Sequence, residues 1–372
     1  MKINLHRQKM KSLKELNLKG KRVLVRCDFN VPLQKQGKWA EKSSPSSLSP
    51  FPKEMEISDD FRIKESLPTI NYLIKAGAKI ILMSHLGRPD GKVVEKLRLT
   101  SVRDKLMEYL SMSLTKTEDC VGKDIEKRTR EMMPGEILLL ENLRFHKEEE
   151  ENDDNFAREL AKLGDFYVND AFGASHRSHA SIVGVPKYLP KACGFLLEKE
   201  IKVLTALMEN PKKPLVAIIG GAKVETKTKV IDKMAEKADA VLIGGLIKRE
   251  IDERDIKLKH PDKIVFPVDD IEGRDIGPET IKLFRKKISP AKTVFFNGVV
   301  GMTEEEKFCK GTEGILKAMI ESGAFSVVGG GETVDFINKI GLIEKFNHVS
   351  TGGGAMLEFL SGTKLPGIEV LE

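Results

Sequence analysis

The sequence predicts an α/β chain of two doubly wound domains, each a parallel sheet flanked by helices, joined by a hinge. Three observations lead there. The chain has 372 residues, which at about 150 residues per domain makes two or three units, each able to bury its own core. Short β-branched or apolar runs alternate with long helical patterns, the pattern of parallel sheets covered by helices. Of 31 glycines, 10 fall in residues 1–190 and 21 in residues 191–372, so two halves of nearly equal length are built for different ligands.

In the first half the strand patterns are Arg22-Val-Leu-Val-Arg26, Ile80-Ile-Leu-Met83, Ile137-Leu-Leu-Leu140 and Phe166-Tyr-Val168. Open α/β sheets bind ligands beyond the carboxyl ends of their strands, so the residues that follow each run are the informative ones. Here they are charged or polar: Cys27-Asp-Phe-Asn30, Ser84-His-Leu-Gly-Arg88, Glu141-Asn-Leu-Arg-Phe145 and Asn169-Asp-Ala-Phe-Gly-Ala-Ser-His-Arg177. Forked, charge-assisted donors of this kind suit a small, multiply anionic ligand. In the second half the corresponding residues are glycines: Ile219-Gly-Gly-Ala-Lys223, Ile243-Gly-Gly245, Phe296-Asn-Gly-Val-Val-Gly301, Val328-Gly-Gly-Gly-Glu332 and Ser350-Thr-Gly-Gly-Gly354. Glycine turns ahead of helix N-termini let backbone N–H groups approach phosphates closely. One such turn is ordinary turn chemistry, but four or five in one half point to a nucleotide. A small anion on one half and a nucleotide on the other imply phosphoryl transfer and narrow the count to two domains.

Composition excludes other classes. The chain carries 62 Lys+Arg against 56 Asp+Glu, a net charge of +6. That small surplus, a single tryptophan (Trp39), four tyrosines and no zinc-finger or RNP-type motif argue against nucleic acid as a partner. No apolar run approaches the roughly 20 residues of a membrane helix, and charges stand where a signal peptide would be apolar, so the expected location is cytoplasmic with no membrane partner. Cys27, Cys120, Cys193 and Cys309 form no C-x-x-C and read as buried small residues in a reducing compartment.

Walker-type and dinucleotide fingerprints are both absent. Lys223 and Lys227 sit four apart at the start of a helical stretch, with both ammonium groups on one face. Two cations in a first turn oppose the helix dipole, a cost that bound phosphates would offset. His176-Arg-Ser-His179 has no third ligand cluster to make a metal site, and Arg177 is its functional member. Glu148 to Glu151 reads as the solvated start of a helix.

Seven ordered blocks resemble the phosphoglycerate kinase family along nearly the whole chain. They are Arg26-Cys-Asp-Phe-Asn-Val-Pro32, Ser84-His-Leu-Gly-Arg-Pro-Asp-Gly91, Leu140-Glu-Asn-Leu-Arg-Phe145, Val168-Asn-Asp-Ala-Phe-Gly173 with His176-Arg177, Gly220-Gly-Ala-Lys-Val224, Asp275-Ile-Gly-Pro-Glu-Thr280 and His348-Val-Ser-Thr-Gly-Gly-Gly-Ala355. The resemblance implies a monomeric, magnesium-dependent glycolytic kinase that moves the acyl phosphate of 1,3-bisphosphoglycerate to ADP, giving 3-phosphoglycerate and ATP. It implies that Asp28 and Asn30 hold the glycerate end, that His85, Arg88, Arg144 and Arg177 cradle the 3-phosphate, and that Arg62 binds the reacting carboxylate. Arg62, Lys227, Gly331 and Gly354 are the implied catalytic group. The implied nucleotide site comprises Gly220, Gly221, Ala222, Lys223, Lys227, Gly244, Gly245, Asn297, Gly298, Gly301, Glu304, Gly330, Gly331, Glu332, Thr333, Gly352 and Gly353, with Glu332 on the metal. The expected domains are residues 1–188 for phosphoglycerate, with an insertion at 38–58, and 189–360 for nucleotide. Residues 361–372 are expected to return to the first domain, and the hinge is expected in Val185 to Glu200, with the end of the chain as a second candidate.

Three features depart from the family pattern. Ser43-Ser-Pro-Ser-Ser-Leu-Ser-Pro-Phe-Pro52 reads as a flexible surface loop. Leu246-Ile-Lys-Arg-Glu-Ile251 replaces a small-residue motif, and the run to Asp275 is short, which leaves the adenine pocket and the nucleotide preference open. Glu332 stands where aspartate is expected and Val299 where proline is. Two other readings fit the residues: an anion-binding homologue without catalysis, and a kinase of another small acid.

Overall fold

The computed structural model describes residues 10–35 and 55–372. It comprises two compact units, one reaching to Lys199 and taking in Leu365–Glu372, the other formed by Glu200–Lys364. The break falls inside the helix Phe195–Glu209, later than the 188/189 boundary expected from sequence. The reason is local bonding. Phe195 N–H donates to Thr69 Oγ1 at 2.9 Å, Leu196 N–H to Asp170 Oδ1 at 2.9 Å, and Lys199 pairs with Glu65 at 2.8 Å. One residue on, Glu200 bonds to residues of the second unit instead.

The first unit contains β1 (Arg22–Arg26), β2 (Leu33–Lys35), β3 (Met55–Ile57), β4 (Lys79–Met83), β5 (Thr115–Lys116), β6 (Ile137–Leu139), β7 (Phe166–Asn169) and β8 (Lys191–Cys193). Six of them form a parallel sheet in the order β5-β6-β4-β1-β7-β8. Ile63, Ile70 and Leu73, on one face of the helix Phe61–Lys75, pack with Val23, Val25, Ile80 and Leu82 of the sheet. That burial, rather than propensity, holds a helix containing Pro68. The Ser/Pro-rich stretch 43–52 lies outside the described residues. The end of the expected insertion forms a strand: β3 pairs antiparallel with β2, Ile57 opposite Leu33, and both side chains pack against the core. In the C-terminal segment Gly367 N–H donates to Ser175 O at 2.9 Å, and Asn169 Nδ2 donates to Gly367 O at 3.0 Å.

The second unit contains β9 (Leu215–Ile219), β10 (Ala240–Ile243), β11 (Ile264–Val265), β12 (Asp270–Ile271), β13 (Asp275–Ile276), β14 (Thr293–Asn297), β15 (Phe325–Gly329) and β16 (His348–Val349). Its parallel sheet runs β11-β10-β9-β14-β15-β16. Every residue of β9 and β14 is buried, which explains why these strands read as unbroken apolar runs rather than alternating ones. The short stretch before Asp275 folds as the helix Gly245–Glu253, the edge strand β11 and the β12–β13 ribbon.

Each sheet starts at a central strand, β1 or β9, and is filled first on one side and then on the other. Such a switch point leaves a crevice at the carboxyl ends of the strands. In the second unit the crevice is floored by glycine. Gly221 N–H donates to Val299 O at 2.8 Å, and a Cβ on Gly298 would lie 2.3 Å from Gly220 O. Gly298 also has φ +86°, a left-handed conformation that disfavours side chains. Gly298→Ala is therefore expected to cost about 2 kcal/mol or more, by strain plus backbone clash. Gly323→Ala, at a helix C-terminus with φ +63° and open space, should cost about 1 kcal/mol. Urea unfolding of the two variants measures the difference, and equal losses would contradict the close-approach argument.

Candidate active site

The charged loops of the first unit assemble at the carboxyl edge of its sheet. Arg62 enters from the first turn of its helix, and its Nη1 donates to Asp28 Oδ2 at 3.0 Å and to Asn30 O at 3.1 Å. Asp28 thereby offsets a cation placed against the helix dipole. Asn30 Oδ1 accepts from Gly87 N–H at 2.8 Å, and Arg144 Nη1 donates to Gly87 O at 2.9 Å. The loops after β1, β4 and β6 are thus laced together. Arg88 and Arg177 are exposed, and among the described residues neither has an ion-pair partner, whereas Arg144 is buried beside Glu150 at 3.0 Å.

The crowding of cations leaves its mark on the histidines. Burial, then the nearby Arg26, Arg144 and Arg62, hold His85 well below the usual imidazole range. Burial and Arg177 lower His176 to about 4; burial, Arg144 and Arg26 lower His179 to about 3. All three are neutral at pH 7. An anion seated among these groups would oppose the depression, because its charge favours the imidazolium.

In the second unit the glycine turns line one edge in the same way. Lys227 is buried, its Nζ donates to Asn297 Oδ1, and burial lowers its pKa to about 8, opposed by Glu332. Gly298 N–H donates to Thr333 Oγ1 at 2.9 Å, and Gly330, at φ +100°, would place a Cβ 3.1 Å from Asn297 Nδ2. That amide nitrogen is buried and has no hydrogen-bond partner among the described residues. Gly244 N–H donates to Ile219 O at 2.9 Å, and Gly245 opens the next helix. Lys223 and Ala222 are exposed in the turn before the helix Val224–Lys237. Glu304 and Glu332 share the lining of a cavity of about 220 Å³ with Thr303, Asp335, Phe336 and Lys339. Gly331 and Gly354 are the first residues of helices that Gly330 and Gly353 precede, Gly353 at φ +47°. Gly352 N–H is held by Ser350 Oγ at 3.0 Å, and Thr351 by the buried Glu200 at 2.7 Å. Gly301 is turned inward: a Cβ there would lie 2.2 Å from Asp275 Oδ1.

The family model described as phosphoglycerate kinase matches residues 48–251 and 248–363. The phosphoglycerate kinases of Anaeromyxobacter dehalogenans and Moorella thermoacetica are each 42% identical; the alignments cover 98% and 97% of this chain and 99% and 98% of theirs. The chain belongs to the phosphoglycerate kinase family. Solved phosphoglycerate kinase structures agree. That from Pyrococcus horikoshii has TM-score 0.83 at 32% identity, with 97% of this chain and 98% of that one covered. That from Coxiella burnetii has TM-score 0.78 at 33% identity, with 98% and 99% covered. As a member of the phosphoglycerate kinase family the chain is a phosphotransferase with a carboxyl acceptor, and it uses ATP and ADP as co-substrates.

Beneath the arginines of this phosphoglycerate kinase fold lies a buried network absent from the residues singled out by sequence. Arg26, fully buried, donates from Nε to Ser181 Oγ at 2.8 Å, and its Nη2 contacts His85 Nδ1 at 3.1 Å. Glu149 accepts from Ser181 N–H at 2.9 Å and Ser181 Oγ at 2.6 Å and lies 3.9 Å from Arg26. The expectation that Glu148 to Glu151 is a solvated helix start is therefore corrected at Glu149, which is 0% exposed: it is the counter-charge under the cationic edge. An acidic run carries no sign of which member turns inward. Asn142 is likewise buried: its Nδ2 donates to Leu86 O and Leu97 O, and its Oδ1 accepts from Leu86 N–H and Arg144 N–H. The Leu140-Glu-Asn-Leu-Arg-Phe145 block contained that signal, in a polar residue within an apolar run. Glu149→Gln keeps most of the size and removes the charge. It is expected to lower unfolding stability by about 3 kcal/mol, since Arg26 stays buried without its counter-ion. Urea unfolding checks this, and a loss below about 0.5 kcal/mol would contradict the assigned role.

Proposed function

We propose that the chain catalyses the reversible transfer of the acyl phosphate of 1,3-bisphosphoglycerate to ADP, giving 3-phosphoglycerate and ATP. Family membership supports the reaction, and the separation of charged loops on one unit from glycine turns on the other supports the assignment of ligands. The observation that carries it is Lys227: a buried ammonium at the switch point of the glycine-floored sheet, tied to Asn297. A buried cation is costly without an anionic partner. The exposed Arg88 and Arg177, with Arg144 and His85, take the 3-phosphate; Asp28 and Asn30 take the glycerate end. Retention of both sets disfavours a non-catalytic homologue.

The acceptor in the reverse direction is a carboxylate, already ionised at neutral pH, so no general base is required. Catalysis then rests on alignment and charge neutralisation. Arg62 exchanges its Asp28 contact for the reacting carboxylate, and Lys227 follows the transferred phosphoryl group. Lys227 remains mostly protonated at pH 7 and loses charge as pH rises through about 8; nucleotide phosphates oppose that loss. Gly331 and Gly354 present helix N-termini to phosphate. Glu332 fits magnesium: its carboxylate is exposed at the cavity shared with Glu304 and Asp335, and magnesium is commonly held by one or two carboxylates plus phosphate oxygens. Bound there, magnesium would neutralise phosphate charge. Because the ligands are assigned to different units, transfer requires a movement, and we place its hinge in Val185 to Glu200.

Both sets of groups lie on one chain, so the reaction needs no second copy, in keeping with a monomer. No helix among the described residues is long and apolar enough to cross a membrane. The four cysteines are free and buried, which suits a reducing cytoplasm.

The direct test is ATP-dependent phosphorylation of 3-phosphoglycerate by the full chain, with acetate as an alternative acceptor. Turnover of 3-phosphoglycerate alone is expected, and turnover of acetate alone would overturn the substrate assignment. Arg62→Ala should lower kcat about a hundredfold or more with little change in substrate affinity. A pure rise in KM would contradict its role in the transition state.

A further inference from the structure

A second cluster of chemistry-bearing side chains lies in the first unit and plays no part in the proposed reaction. Asp119, Cys120 and His146 each offer one donor atom, and the three atoms lie within 4.8 Å of one another. Asp119 and Cys120 sit in the loop after β5, and His146 closes the turn Leu143–Phe145 that carries Arg144. His146 Nε2 is 2.6 Å from Asp119 Oδ1, and the imidazole stacks on Phe156 with ring centroids 5.0 Å apart. The Cys120 thiol is fully buried and donates to Glu141 O at 3.0 Å. Glu141 is itself fixed by Lys116 at 2.8 Å and by the N–H groups of Leu99 and Asn142, both at 2.9 Å. The donors are thus held by packing on one side and open to solvent on the other, where Asp119 is exposed.

We propose that Asp119, Cys120 and His146 bind a thiophilic divalent transition metal, Zn²⁺ being the fitting ion. Thiolate, imidazole and carboxylate are the donors zinc takes, at about 2.0–2.3 Å, and three protein ligands leave a fourth position for water. Hard ions such as Mg²⁺ favour an all-oxygen set. The ion replaces the proton now shared by His146 and Asp119. The Nε2 lone pair and a carboxylate oxygen become ligands, the imidazole proton moves to Nδ1, and the Cys120 thiol proton passes to solvent as the sulfur–metal bond forms. The bound ion fastens the Arg144 turn to the loop after β5. This inference does not depend on the proposed reaction, since the cluster is separate from the residues assigned to substrate.

The test uses the full chain, stripped of metal with a chelator and titrated with Co²⁺, which reports thiolate ligation by a sulfur-to-cobalt charge-transfer band. The wild-type protein is expected to give a saturable band at a single equivalent, bleached by Zn²⁺. Cys120→Ser should abolish the band, and the exposed-site variant Asp119→Asn should weaken Co²⁺ binding about tenfold. Zn²⁺ should raise the Tm of the wild-type protein and leave that of Cys120→Ser unchanged. A wild-type protein with no band overturns the proposal whatever the variants do. A band of wild-type intensity in Cys120→Ser overturns it too, by tracing the signal to Cys27, Cys193 or Cys309.

Discussion

A parallel sheet delivers the carboxyl ends of all its strands to one edge, and each unit of this protein depends on that constraint. Whatever residue types follow the strands are concentrated together, far apart in sequence though they are. After β1, β4, β6 and β7 these are Asp, Asn, His and Arg; after β9, β14 and β15 they are mainly Gly. The same topology therefore yields a cationic edge in one unit and a backbone-lined crevice in the other, and the switch points at β1 and β9 fix where each opens.

Concentrating cations has a cost, and much of the first unit is arranged to offset it. Arg26 is held by a buried carboxylate from Glu149, Arg144 by Glu150, and Arg62 by Asp28. The histidines that share the edge stay neutral, because burial and the neighbouring guanidinium groups disfavour a further charge. The cationic edge is thus built to receive negative charge. The second unit meets the opposite problem, bringing backbone close to backbone. It solves this with Gly220 and Gly298, where no side chain fits. Its buried cation, Lys227, leans on a neutral amide, which leaves its charge available to a ligand.

The architecture and much of the candidate site were legible in the sequence, because strand periodicity and strand-end residue types are local properties. Four strand patterns of the first half match β1, β4, β6 and β7 within a residue or two at each end. What escaped was whatever depends on which of several like residues turns inward. Glu149 is indistinguishable from Glu148 and Glu150 until the Ser181 loop packs over it, and Arg26 reads as a strand terminus until His85 and Glu149 close around it. Met55–Ile57 was hidden because it follows a Ser/Pro-rich stretch, and only its pairing with Leu33–Lys35 makes it a strand. Gly301 lies in a glycine-rich strand-end motif yet packs against Asp275, a long-range contact that spacing cannot reveal.

The central claim is that the two ligands are divided between the units according to the residues that follow their strands. Calorimetric titration of 3-phosphoglycerate and of Mg-ADP into Arg144→Ala and Lys223→Ala proteins tests it most directly. The account predicts that Arg144→Ala weakens 3-phosphoglycerate binding by about tenfold or more, as loss of a charge-assisted contact should, and leaves Mg-ADP affinity unchanged. Lys223→Ala should do the reverse. Loss of nucleotide affinity in Arg144→Ala with 3-phosphoglycerate binding intact would contradict it.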